Sequence, residues 1–149
     1  MFERFTKDAR DVVGLALEEA RAAGAPAVEA EHLLLALAAR GDLPGVDRED
    51  VEQALGAGEV RALAAVGIAR SDFDLPPAAP RRNAPRWSAS AKLALHRAVG
   101  LAAARHDRRI TAAHVALGVL DAREGTVPRA LDAGGIERHA LWRRIDGER

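Results

Sequence analysis

The chain has 149 residues, with 22 basic residues balanced by 22 acidic ones and no cysteine. A chain of this size can form one domain that buries roughly 70% of its unfolded surface, and the missing thiols exclude disulfides, thiolate metal sites and a cysteine nucleophile. Zero net charge argues against a protein that coats a polyanion, so nucleic acid is not an expected partner. No long apolar run is present, and the charged start "MFERFTKDAR" reads as a helix beginning rather than a signal peptide, so a cytoplasmic protein with no membrane contact is expected.

In chain order, Thr6 can cap a first helix whose stripe is Ala9, Val13, Ala16, Ala20 and Ala23. A second helix is expected over "EAEHLLLALAA", residues 29–39, followed by the segment "LPGVDREDVEQALG" at 43–56 and by "RALAAVGI" at 61–68. Val51, Ala54 and Leu55 share one helical face, which predicts a short separate helix in 43–56, with the next helix cut short near Phe73 by "LPP". Residues 74–86, "DLPPAAPRRNAPR", carry four of the seven prolines and read as a linker. Beyond it, Ser88 can cap a helix with the stripe Ala91, Leu95, Ala98 and Ala102; "TAAHVALGVLD" and "RALDAGGI" follow.

The two halves repeat each other. Phe5-Thr6 and Trp87-Ser88 are eighty-two residues apart, as are His32 and His114, whereas "RALAAVGI" and "RALDAGGI" are sixty-eight apart. The difference makes 43–56 a fourteen-residue insert in the first copy. The expected fold is all-α: a single domain over 1–149 in which two four-helix repeats, 2–73 and 87–146, share one core about a pseudo-twofold axis.

A phenylalanine-threonine helix start, an "EHLLLAL" helix and a closing "RALxxxGI" segment, in duplicate, resemble the double Clp repeat in the N-terminal domains of Clp (Hsp100) unfoldases. The opening "MFERFTKDARDVVGLALEEA" is especially similar to that of ClpC-type proteins. The resemblance implies a peptide-binding module that receives substrates, degrons or adaptor proteins and, in ClpC-type members, reads phosphorylated arginine. No G-x-x-x-x-G-K-[ST] occurs, and neither lysine, Lys7 nor Lys92, follows a glycine, so the motor of such a machine is not in this sequence.

In the family pattern, the glutamate before the histidine takes the arginine guanidinium. Glu31 occupies that position, and the hydroxyl caps Thr6 and Ser88 suit the phosphate. The bland alternative is that Glu31 only complements its helix's positive end, worth about 0.3–1 kcal/mol. The second repeat has Ala113 in the glutamate's place, so at most one such site is expected. Phe2, Val13, Trp87 and Lys92 match the positions lining a groove where adaptors and cyclic-peptide antibiotics dock in related domains. Gly14 departs from the usual apolar residue there, Val13 also fits the core stripe, and Phe2 and Trp87 also fit a staple onto the following helix.

His32 and His114 recur where the glutamate does not, so both are read as structural, each donating to a buried carbonyl while its ring packs. The five histidines lack zinc-ligand spacing, and serine occurs only at 71, 88 and 90, never in G-x-S-x-G. "RRNAPR" reads as solvated tether. Neither a catalytic residue nor a cofactor is expected. The function read from these features is a non-enzymatic module for peptide or protein ligands of a Clp protease system; the alternative is a regulator or decoy that competes with a Clp unfoldase for adaptors or cyclic peptides.

Overall fold

The structure, a computed structural model, describes residues 2–72, 79–80 and 83–148. Its first half contains α1 (Lys7–Ala22), α2 (Ala30–Arg40) and α3 (Arg48–Ala65); its second contains α4 (Ala89–Ala104), α5 (Ala112–Leu120), α6 (Thr126–Ala133) and α7 (Arg138–Glu148). Two two-residue strands, β1 (Ala27–Val28) and β2 (Arg86–Trp87), are the only strands among the described residues. The fold is all-α, as expected. Most of the 74–86 linker lies outside the described residues, as does Phe73, where the break in the first repeat was expected.

The termini of the helices follow local chemistry. Thr6 and Ser88 cap α1 and α4 by accepting from the backbone N–H groups of Ala9 and Ala91. Gly41, with φ +82°, ends α2 in the left-handed conformation that glycine adopts without penalty. Pro128 falls in the first turn of α6, where its missing N–H is not needed.

α2 and α5 are the centre of the molecule. α5 is buried along its whole length except at Ala113, and α2 is buried from Ala30 to Ala38 except at Glu31, the pattern of helices enclosed on all sides. Around them, α1 contributes Ala9, Val12, Ala16 and Ala20, and α4 contributes Ala91, Ala94, Leu95, Ala98 and Ala102. These alanines let backbones approach closely. The closest approach is at Gly118 of α5, where a Cβ would lie 2.3 Å from the Ala94 carbonyl oxygen and 2.9 Å from the Ala98 nitrogen of α4.

The two halves are crossed at their helix starts. Thr6 N–H donates to the Ile110 carbonyl at 2.9 Å, and Ser88 N–H donates to the Val28 carbonyl at 3.0 Å. Val28 pairs with Trp87 in a parallel ladder, and Phe5 pairs with Ile110 in a parallel bridge. Shifting one pairing by the eighty-two-residue offset turns it into the other, so the pseudo-twofold relation inferred from the repeat is present in the hydrogen bonds.

The insert departs from the expectation of a separate helix. α3 runs unbroken from Arg48 to Ala65, so most of 43–56 forms the first half of the helix that also carries the "RAL" segment. No proline interrupts it, and its second glycine is used in packing. Gly58 sits against α6, where a Cβ would meet Ala130 Cα at 3.1 Å, and Ala54 faces Gly134. Among the described residues, the first repeat therefore has three α-helices and a single 3₁₀ turn at Arg70–Asp72, whereas the second has four helices.

Candidate functional site

The start of α2 is a junction between the repeats. Glu29 is its N-cap residue, and its carboxylate accepts from the hydroxyls of Ser88 at 2.7 Å and Ser90 at 2.5 Å. Ser90 Oγ in turn accepts from Ala30 N–H at 2.9 Å. One residue further on, Glu31 points into a groove with two adjoining parts. One part, of about 550 Å³, lies toward α3 and α6; the other, of about 290 Å³, lies toward α4. Glu31, Thr126 and Arg129 line both.

Glu31 is half-buried and, among the described residues, is held by no hydrogen bond or ion pair. Burial pushes its pKa above the usual carboxylate range, and the nearby Glu29 charge adds to this, while Arg129 opposes both. A carboxylate in that condition gains from an incoming cation, because the ligand restores what burial removed.

The pseudo-symmetric junction at the start of α5 keeps the connections and exchanges the chemistry. Here the hydroxyls are Thr6 and Thr111, and the acid is Asp8, in the place of Ser90. Asp8 accepts from the Thr6 hydroxyl and from the backbone N–H groups of Ala9 and Ala112. Burial pushes the Asp8 pKa up, but these hydrogen bonds outweigh it and hold the group below the usual carboxylate range. Ala113, the counterpart of Glu31, lines a wider cleft of about 650 Å³ with Asp8, Asp107, Arg108, Arg109 and His114. That cleft has no counterpart of the unpartnered Glu31 carboxylate.

This crossed double junction can be compared with known proteins. The sequence of residues 4–66 matches the family described as the Clp repeat (R) N-terminal domain. Residues 4–66 are thus similar in sequence to a Clp repeat. Its backbone is similar to the N-terminal domain of the chaperone ClpD from Arabidopsis thaliana, with TM-score 0.74 and 21% identity, covering 99% of this chain and 96% of that one. The Hsp104 N-terminal domain from Candida albicans is similar with TM-score 0.65 and 18% identity over 96% of this chain and 89% of that one. A chain from a malarial protein secretion system gives TM-score 0.63 at 13% identity, over 97% of this chain and 94% of that one. At these identities the likeness is one of fold. No curated protein matches the chain in sequence.

Within this fold, the residues singled out from the sequence separate into three places. Glu31 and Ser88 belong to one junction, since Ser88 bonds Glu29 at the start of the same helix. Thr6 belongs to the other, where its hydroxyl also donates to the Ile110 carbonyl at 3.2 Å. Thr6 and Glu31 are not brought together, because each repeat's first cap faces the other repeat's second helix. Both cap hydroxyls are already engaged with carboxylates.

The groove residues form no single site either. Phe2 packs edge-on against Phe5, with ring centroids 5.0 Å apart, beside the start of α5. Trp87 lies half-buried beside Val28, Val13 packs against the core from α1, and Lys92 is exposed on α4. None of the four lines the Glu31 groove or the cleft beside Ala113.

The histidines are structural, but by a different bond from the one expected. His32 Nδ1 accepts from Glu29 N–H at 2.9 Å, and His114 Nδ1 accepts from Thr111 N–H at 3.0 Å. Each imidazole thus takes the place of the glutamate in a capping box. His114 also bonds Asp107 through Nε2 at 2.9 Å. Thr111, His114 and Asp107 resemble a nucleophile–base–acid chain, yet the Nδ1 lone pair a base would use already receives the Thr111 N–H. Thr126 and Arg129, the latter the first residue of "RALDAGGI", complete the groove around Glu31 and were missed as site residues; only the fold brings α6 to α2.

Proposed function

We propose that this chain is a binding module, not a catalyst, and that it holds a peptide or protein ligand by an arginine side chain seated on Glu31. The observation that carries this reading is the half-buried Glu31 carboxylate without a partner, where two parts of a groove meet. A guanidinium can meet a carboxylate through two parallel charge-assisted bonds. The Clp N-domain fold supports it, because in Clp and Hsp100 proteins that fold serves as a protein-interaction module.

Phosphoarginine is the finer form of the reading. Arg97 and Arg129 line the same part of the groove as Glu31, and α6 begins beside them at Gly125, which has no side chain to cap the free N–H groups. Those groups suit a phosphoryl group better than Ser88 or Thr6, whose hydroxyls are committed to carboxylates. Degrons and adaptors of a Clp system would be the natural ligands, and the second repeat, with Ala113, would hold none in this manner.

Calorimetric titration with phosphoarginine and with arginine amide tests the proposal. Saturation near one equivalent is expected for the native chain, with at least about tenfold loss in Glu31→Ala, since a buried carboxylate–guanidinium contact is worth roughly 1.5–3 kcal/mol. Arg129→Ala should weaken phosphoarginine more than arginine amide. Absence of binding by a folded native chain would contradict the proposal and favour a regulator that docks adaptors, a Clp unfoldase or cyclic peptides through the surface near Trp87.

A further inference from the structure

The part of the groove toward α3 owes half of its α3 wall to the fourteen-residue insert. Glu52, Leu55 and Gly56 all come from 43–56, and Glu59 follows on the same helix. The insert therefore extends the face that carries Glu31. The two parts of the groove together are lined by five glutamates and two arginines, and Leu55 and Ala62 provide apolar surface between the charges. That composition is complementary to long cationic side chains, whose stems bury while their heads stay on the acids.

Glu52 is available to such a ligand. It pairs with Arg48, one helical turn away, and the Glu52 and Arg48 side chains are 47% and 44% exposed. Exposed pairs of this kind contribute little and exchange readily. Arg48 would keep its two bonds to Glu19, at 2.9 and 2.7 Å.

We propose that the groove takes an extended peptide segment with two cationic side chains, one on Glu31 and the other on Glu52 of the insert-built wall. This rests on the reading of Glu31 given above. Glu31 and Glu52 line one space of about 550 Å³, and side chains at i and i+2 of an extended strand are roughly 7 Å apart on one side. One intervening residue is the shortest spacing that places two side chains on the same side of an extended segment, toward the space both acids line. The insert thus sets which arginine-bearing segments the domain prefers.

Fluorescence polarisation at low salt with otherwise neutral peptides carrying one arginine, or two at i and i+2, tests this on the full chain. The native chain should bind the two-arginine peptide roughly fivefold tighter, the upper range for an added exposed ion pair. Glu52→Gln should erase that advantage and leave the one-arginine affinity unchanged, while Glu31→Gln should weaken both peptides. If the one-arginine peptide binds through Glu31 but the second arginine adds nothing, or if Glu52→Gln preserves the advantage, the inference is overturned and the proposed function stands. If the one-arginine peptide does not bind the native chain at all, the proposed function fails and this inference fails with it.

Discussion

Glu31 and Ala113 occupy equivalent places at the starts of α2 and α5, and under the proposed function that single difference decides which junction holds a cation. Burial and Glu29 raise the Glu31 pKa, so its charge is lost at a higher pH than an ordinary carboxylate's. Arginine amide should therefore bind tightest near neutrality and weaken on acidification, beginning above the usual carboxylate range. Calorimetry across pH 4–7 checks this. For stability the sign is opposite: a raised carboxylate pKa favours folding as pH falls through it, so Glu31→Gln should leave the melting temperature at pH 7 unchanged or higher.

His32 works the other way. Burial lowers its pKa, although Glu29 and Glu19 pull it upward. Its contribution is fully present above the ordinary histidine pKa of about 6.5 and is lost as pH falls through the lower folded value. Protonation places a hydrogen on Nδ1, which then cannot accept from Glu29 N–H. His32→Ala should cost about 1–2 kcal/mol in urea unfolding at pH 8, and His32→Gln should recover part of that, because glutamine can also close a capping box.

At the scale of the helices, alanine and glycine set how closely the elements pack. Gly118→Ala should destabilise the domain by about 1–3 kcal/mol, since its Cβ would press on the α4 backbone. Gly14→Ala on α1 meets nothing within 4 Å and should stabilise by about 0.5–1 kcal/mol. Thermal melts of the two variants should move in opposite directions. Helical periodicity made α1, α2, α4 and α5 legible in the sequence, and the recurrence of His32 and His114 marked two structural positions but not the capping-box bond each makes. The union of the insert with "RALAAVGI" was hidden because Gly56 and Gly58 look like interruptions. Gly58 instead fits a tertiary contact with Ala130 that a local pattern does not reveal.

For the whole molecule, the decisive feature is the crossing of the repeats. An offset of eighty-two residues announces two copies, but not which copy's cap faces which helix. Pairing Thr6 with Glu31 was the natural reading along the chain; the Val28–Trp87 and Phe5–Ile110 pairings instead place Ser88 beside α2 and Thr6 beside α5. The acid and hydroxyl then exchange sides between the two junctions, Glu29 with Ser90 in one and Thr111 with Asp8 in the other. Both junctions keep a filled hydrogen-bond network, and only the first keeps a carboxylate to spare. Under the proposed function, recognition is confined to one of two similar faces, on a domain with zero net charge in which local rather than global electrostatics selects the ligand.

The most direct measurement is an amide chemical-shift titration of the isotope-labelled chain with a phosphoarginine peptide. The account predicts saturable shifts concentrated at residues 29–31, at Glu52 and Leu55, and at 125–130, with residues around Thr6 and Ala113 undisturbed. Shifts centred on Thr6, Asp8 and Ala113, or on Phe2 and Trp87, would contradict it by placing recognition on another face of the same fold.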